Sequence, residues 1–105
     1  MTDLPQRLTK EQRVVFEARR DDGLSELKAA VDRKFVHVKF TETRGGTELG
    51  VPVDVGSDVS GADWAKKKGM IHLEGDLELD GVRVRCIADL DIASLQGTGC
   101  LRILN

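Results

Sequence analysis

Three side chains in this sequence have the chemistry of a metal site. His72, Glu74 and Asp89 offer an imidazole and two carboxylates, which are common ligands of zinc and other divalent ions. His72 and Glu74 share one face of a predicted strand, and Asp91 could join them. Their spacing matches no diagnostic metal motif, and an ordinary solvent-exposed strand has the same composition. A metal or small-ligand site at His72, Glu74 and Asp89 is therefore our second hypothesis for function.

Nucleophilic catalysis would need a serine or cysteine within hydrogen-bond reach of a histidine. Only His37 and His72 are available, and both fall on polar faces of predicted strands. Cys86 and Cys100 match no zinc or redox spacing, and Cys86 falls on an apolar face, where burial raises a thiol pKa. The sequence therefore predicts reduced thiols in the core, no catalytic residue and no cofactor, and it favours a protein that is not an enzyme.

Charge and composition disfavour nucleic acid and membranes as partners. The formal net charge is -2, aromatic residues make up 4%, and there is no tyrosine. The basic run Lys66–Lys68 therefore indicates a solvated helix end, and Gly97–Gly99 precedes a strand, which predicts a turn and not a phosphate site. There is no apolar leader, and no apolar run approaches the about 20 residues that cross a bilayer. We expect a cytoplasmic location.

The stretch Leu77–Arg85, LELDGVRVR, predicts a hairpin, because Asp80 and Gly81 are a preferred pair for a type I′ turn. This turn fixes every cross-strand partner. The predicted pairs on one face are apolar: Leu79 with Val82, Leu77 with Val84, Gly75 with Cys86, Leu73 with Ala88 and Ile71 with Leu90. The predicted pairs on the other face are charged or polar: Glu78 with Arg83, Asp76 with Arg85 and His72 with Asp89.

A second hairpin is predicted over residues 34–55, where apolar residues alternate and Gly45 and Gly46 can form a two-residue turn. The predicted inward pairs are Phe40 with Val51, Val38 with Val53, and Val36 with Val55. Pro52 lacks an N–H, and this register directs the missing group away from the partner strand. The strand Leu49–Val55 is therefore predicted at a sheet edge.

The N-terminal third is predicted to be helical over residues 9–33, after a polar lead over residues 1–8. Thr9 and Gln12 have capping-box spacing, and apolar residues follow at helical intervals. Gly23 leaves open whether this is one helix or two. A strand over Arg13–Arg19 is the alternative.

A short helix is predicted over residues 60–68, with Ser60 at its start. Trp64, the only tryptophan, is expected to fill the core between this helix and the sheet. The alternative for Trp64 is an anchor on a binding surface.

The last strand, Cys100–Leu104, is apolar on both faces, so it is either central in a covered sheet or part of an interface. We predict a two-fold homodimer, because one self-complementary patch would cover the exposed apolar side. The predicted interface residues are Cys100, Leu101, Ile103, Leu104 and Trp64.

Taken together, residues 1–105 are predicted to form one α+β domain, with the N-terminal helical segment packed on an antiparallel sheet of about five strands. The leading hypothesis for function is a non-enzymatic interaction module. It would bind a protein partner, or a second copy of itself, through a sheet edge or an apolar strand face.

Overall fold

The computed structural model describes residues 4–18 and 22–104, so parts of the predicted lead (1–3) and of the predicted helical segment (19–21), and residue 105, lie outside it. Its elements are α1 (Leu4–Arg7), β1 (Gln12–Val15), α2 (Gly23–Asp32), β2 (Phe35–Phe40), β3 (Thr47–Pro52), β4 (Met70–Leu79), β5 (Val82–Asp91) and β6 (Gln96–Ile103). Neither helix has the length and apolar content needed to span a membrane.

The six strands form one antiparallel sheet in the order β3-β2-β1-β6-β5-β4. The sheet curls into a near-barrel, and only about 14% of the described residues are helical. Just past the end of β3, the Asp54 N–H donates to the Glu74 carbonyl at 2.9 Å, and Asp58 and His72 exchange two backbone hydrogen bonds of 2.8 Å. The predicted fold, a helical segment packed on a sheet of about five strands, is therefore wrong.

The largest error concerns β1, which lies near the start of the predicted helical segment. Val14 pairs with Phe40 of β2 on one side and with Gly97 of β6 on the other. Such pairing on both sides overrides local helical spacing. Thr9 does not begin a helix, since its hydroxyl donates to the Gln6 carbonyl at 2.8 Å, just past α1. The alternative, a strand over Arg13–Arg19, overlaps β1 only in its first three residues, and Arg19 lies outside the described part of the chain.

Helix α2 begins within the predicted helical segment, and its start has a clear local cause. Asp22 is its N-cap, with a side chain that accepts from the Ser25 N–H at 3.1 Å. Leu27 and Ala30 are buried, so the helix presents one apolar stripe to the strands. The cap sets where the helix begins, and the buried stripe sets which face of the helix packs on the sheet. The helix ends at Asp32, just before β2 begins.

The hairpin of β4 and β5 has the predicted register throughout. Leu79 pairs with Val82, and His72 pairs with Asp89 at the far end. Asp80 and Gly81 have φ values of 52° and 79°, as a type I′ turn requires. The turn prediction and both face assignments are confirmed.

The hairpin of β2 and β3 has a different register from the predicted one. Phe40 pairs with Thr47 and Val36 with Val51, because residues 41–46 form a longer connection than a two-residue turn. The shift is four residues, an even number, so Val36, Val38 and Phe40 still face the core. The predicted edge position of the Pro52 strand is confirmed by the strand order.

Residues 60–68 form turns, not the predicted short helix. Asp63 and Lys68 exchange two backbone hydrogen bonds of 2.8 and 3.2 Å, which close a tight loop. Ser60 donates from its N–H and its hydroxyl to the Asp58 carboxylate, at 2.9 and 2.6 Å. Trp64 is half-buried and packs against the core. The core is wholly apolar, and no described polar residue is fully buried.

Candidate functional site

The structure brings the three predicted metal-site residues together on the outer face of the β4–β5 hairpin. The Nδ1 atom of His72 lies 2.7 Å from Asp89 Oδ1, and its Nε2 atom lies 2.5 Å from Glu74 Oε2. Both ring nitrogens of His72 are therefore hydrogen-bonded to carboxylates. Asp91 pairs with Met70, two residues along the hairpin from the pair of His72 and Asp89.

These hydrogen bonds favour the imidazolium form of His72. Glu74, and then Asp89, raise the pKa of His72 above its ordinary value of 6.5, while His72 lowers the pKa of Glu74. An imidazolium donates from both nitrogens and has no lone pair for a metal ion. Among the described residues, no group of three or more His, Cys, Asp or Glu side chains is arranged to hold a metal ion. A metal ion here would have to displace a proton from His72.

The network continues through Arg85 of β5. Its Nε donates to Glu74 Oε1 at 2.8 Å, and Nη1 donates to Asp76 Oδ1 at 2.9 Å. The same guanidinium binds both carboxylate oxygens of Asp54, at 2.8 and 2.9 Å, and lowers the pKa of Asp54. Arg85 therefore joins β5 to the segment that follows β3. We call this network the charged clasp: Asp54, His72, Glu74, Asp76, Arg85 and Asp89.

Backbone contacts reinforce the charged clasp along the closing edge of the near-barrel. The Ser57 hydroxyl donates to the Glu74 carbonyl at 3.1 Å and accepts from the Glu74 N–H at 2.8 Å. The backbone bonds of Asp54 to Glu74 and of Asp58 to His72 lie on either side of this contact. The segment after Pro52 is thus held against β4 at three successive points.

This pinned segment forms one wall of an apolar groove of about 390 Å³, and the C-terminal end of α2 forms the other. We call it the valine groove: Val31, Lys34, Val53, Asp54, Val55, Ser57 and Val59. Val31, Val53 and Val59 are half-buried and pack against the core. Val55 is fully exposed, at 104% relative accessibility. A fully exposed valine is expected to contribute little to the stability of the isolated chain.

The polar groups of the groove differ in whether they have partners. Asp54 is bound by Arg85, and Ser57 by the backbone of Glu74. Lys34 is exposed at the junction of α2 and β2, with φ 62°, and forms no ion pair with any residue described in the structure. The groove therefore combines an apolar floor with one available cation on its rim.

The predicted interface residues of the last strand lie in β6 and just after it, and they differ in exposure. The strand β6 is central, with β1 and β5 on either side, so its edges are not available for pairing. Leu101 is 2% exposed, and its N–H donates to the Leu8 carbonyl at 2.7 Å. Cys100 and Leu104 are only partly exposed, and Ile103 is 36% exposed. The strand order confirms the central position of this strand, and the interface stays a prediction.

The remaining candidates occupy structural positions. Cys86 is buried opposite Gly75, and burial raises its pKa to about 12. His37 lies edge-on to Phe35, with ring centroids 5.1 Å apart. Gly97–Gly99 is part of β6 and not a turn; a Cβ on Gly97 would lie against the Asp89 carbonyl.

Sequence reasoning missed the valine groove because it assigned Val53 and Val55 to a strand, opposite Val38 and Val36. The available signal was Pro52, where β3 ends, followed by three more valines within seven residues. No protein-family model matches the chain, and no curated protein has significant similarity to it.

Proposed function

We propose that this protein is a non-enzymatic interaction module that binds a short extended protein segment in the valine groove. The observation that carries the proposal is Val55, which is fully exposed beside a groove lined by Val31, Val53 and Val59. Contiguous exposed apolar surface on a soluble domain is typical of a binding site. An apolar side chain of the bound segment would remove these valines from water.

The charged residues at the edge of the groove indicate which charge the bound segment should carry. Lys34 has no ion-pair partner among the described residues, whereas the carboxylate of Asp54 is already paired with Arg85. A segment with a carboxylate next to its apolar side chain would therefore gain an ion pair with Lys34. Such charge complementarity favours acidic segments over basic ones.

The groove is also preformed, which favours binding. Hydrogen bonds from Asp54, Ser57 and Asp58 to β4 hold its outer wall. A wall that is already ordered loses little conformational entropy when a segment binds.

The proposal is tested by adding a synthetic peptide, Glu-Ile-Glu with blocked ends, to dilute protein and following the valine methyl signals by NMR. We expect saturable shifts at Val31, Val53 and Val59. Two matched peptides serve as controls: Glu-Ser-Glu lacks the apolar side chain, and Lys-Ile-Lys reverses the charge. Both should bind more weakly. Absence of saturation with Glu-Ile-Glu, or equal binding of all three peptides, would overturn the proposal.

A metal site is the second candidate, favoured by the contact of His72 with Glu74 and Asp89. Elemental analysis of the purified protein, before and after zinc is added, tests it. Stoichiometric zinc that is lost in a His72→Gln variant would support this candidate. Protein without bound metal in both samples would exclude it.

A further inference from the structure

We propose that Arg85 is a positioning residue of the valine groove, because its guanidinium holds the turn of residues 54–56 and so fixes the place of Val55 on the outer wall. The proposal deepens the function proposed above, and its consequence for binding rests on that function. The positioning role concerns one exposed side chain, whereas the charged clasp as a whole contributes to the free energy of unfolding.

Val55 does not fix its own position. Its side chain is fully exposed, and among the described hydrogen bonds none joins the backbone of Val55 or Gly56 to another strand. The Gly56 N–H donates to Asp54 Oδ1 at 2.9 Å, and the Ser57 N–H donates to the Asp54 carbonyl at 3.0 Å. The place of Val55 therefore depends on Asp54.

Asp54 is held by two neighbouring strands. Its N–H donates to the Glu74 carbonyl of β4 at 2.9 Å, and both oxygens of its carboxylate accept from Arg85 of β5, at 2.8 and 2.9 Å. A planar guanidinium that binds two carboxylate oxygens also fixes the plane of the carboxylate. Arg85 cannot rotate freely, because it also donates to Glu74 Oε1 and to Asp76 Oδ1. The carboxylate that accepts from Gly56 thus has a fixed orientation.

The absence of a side chain at Gly56 shows how closely the turn approaches Arg85. A Cβ atom at this position would lie 2.5 Å from Arg85 Nη2 and 2.9 Å from Glu74 Oε1. Non-bonded atoms at such separations repel each other strongly. Gly56 does not have a positive φ, so its backbone conformation does not require glycine. The close approach of the guanidinium requires it.

Arg85 therefore orders the outer wall of the groove, although it does not line the groove itself. A turn without this anchor would place Val55 in several positions, and a bound segment would have to select one of them. That selection costs conformational entropy, which lowers affinity. We expect binding in the groove to depend on the contact between Arg85 and the turn.

The first test displaces the guanidinium without changing any charge. Gly56→Ala places a methyl group against Arg85 Nη2. Gly23→Ala is the matched control, because its Cβ would lie 2.6 Å from Leu95 Cδ1, and Gly23 begins α2 whereas the groove uses the other end of that helix. Amide hydrogen exchange in the protein without peptide measures the order of the turn.

We expect the amides of residues 56 and 57 to exchange about tenfold faster in Gly56→Ala than in the native protein. The Leu101 amide, which donates to the Leu8 carbonyl at 2.7 Å, reports global opening and should not change. Gly23→Ala should leave the turn as it is. Native exchange at the turn in Gly56→Ala, or an equal increase at Leu101, overturns the inference.

The second test removes one carboxylate from Arg85 at a time. Asp54→Asn and Asp76→Asn each replace a carboxylate that Arg85 binds with an amide of the same size, but only Asp54 belongs to the turn. We expect faster exchange at Ser57 in Asp54→Asn and native exchange there in Asp76→Asn. Equal exchange in the two variants would mean that Arg85 acts on overall stability alone, and would contradict the inference.

Arg85→Lys tests the guanidinium directly, because lysine keeps the charge but cannot bind both oxygens of Asp54 in one plane. The turn should exchange in Arg85→Lys as it does in Asp54→Asn. The double variant should exchange no faster, because two residues that act through one contact are not additive. Additive effects would show that Arg85 and Asp54 act independently, and would exclude the positioning role.

Binding is measured separately, so that the positioning role and the proposed function can fail apart. If the native groove binds Glu-Ile-Glu, Gly56→Ala should raise the Kd about three- to tenfold, and Gly23→Ala should not change it. An unchanged Kd in Gly56→Ala overturns the inference. If the native protein does not bind the peptide while exchange responds as expected, the proposed function is wrong and the effect of Arg85 on the turn is supported.

Discussion

The charged clasp and the valine groove both use the short segment over residues 53–59, and they differ in how many of their side chains have partners within the chain. On the clasp side, Arg85 binds three carboxylates, and Glu74 also contacts His72. On the groove side, Val55 is fully exposed and Lys34 has no ion-pair partner among the described residues. The charged groups of the clasp are paired within the chain. The exposed groups of the groove are available to a binding partner.

This difference separates stability from binding. Groups whose partners lie within the chain contribute to the free energy of unfolding, and their loss leaves charges or polar groups unpaired. Exposed apolar groups contribute little to the fold, and so can be replaced without unfolding it. Substitutions in the clasp should therefore change stability, and substitutions in the groove should change association.

The largest effect is expected for Arg85→Ala. This variant leaves the carboxylates of Asp54, Glu74 and Asp76 without their shared cation, and the Arg85 side chain is only 20% exposed. We expect the free energy of unfolding to fall by about 2 to 3 kcal/mol in urea denaturation. Arg83→Ala is the matched control, since Arg83 is 67% exposed and lies 3.8 Å from Asp76. Equal losses in the two variants would show that the clasp is not a stabilising network.

A smaller loss is expected for Gly81→Val, which tests the turn that places Arg85 opposite Asp76. A Cβ at Gly81 meets nothing within 4 Å, so the cost comes from the positive φ of 79° alone. We expect destabilisation by about 1 to 3 kcal/mol, because a β-branched residue disfavours that conformation. An unchanged urea midpoint would be inconsistent with a turn at this position.

The pH dependence of the free energy of unfolding tests the contacts of His72 with Glu74 and Asp89. Glu74 and Asp89 raise the pKa of His72 in the folded protein, so its contribution is fully present below about pH 6.5, the ordinary value. That contribution is lost as the pH rises through the raised pKa. Urea unfolding should therefore show lower stability at about pH 9 than at about pH 6, and His72→Gln should reduce the difference. The same slope in both proteins would assign it to other groups.

The smallest effect on stability is expected in the groove. Val55→Asp should change the free energy of unfolding by less than about 0.5 kcal/mol, because the side chain is fully exposed. By comparison, Val55→Asp should weaken binding in the valine groove strongly. A marked loss of stability in this variant would mean that Val55 packs within the fold, and the contrast between clasp and groove would disappear.

The two long hairpins show how far local signals predict a register. Asp80 and Gly81 form a tight turn, so every pair from Leu79 and Val82 outward could be assigned in advance. Gly45 and Gly46 also have positive φ values, yet they lie at the end of a longer connection. The register there depends on how residues 41–46 close, which local propensity does not determine.

The candidate site was predictable only in part. Because the β4–β5 register was known, His72, Glu74 and Asp89 could be grouped from the sequence, and the structure places them in contact. The role of Arg85 toward Asp54 could not be inferred, since these residues meet only when the sheet curls and its edges approach.

The sequence by itself determined the tight turn at Asp80 and Gly81, the register around it and the inward positions of its apolar residues, including buried Cys86. These features depend on backbone conformation and on the two-residue period of a strand, which neighbouring residues impose. Tertiary structure alone decided that Val14 lies in a strand, that β6 is central, and that Val31 and Val55 meet in one groove. Those outcomes depend on pairing between residues far apart in the chain, where hydrogen bonding and apolar burial outweigh local preference.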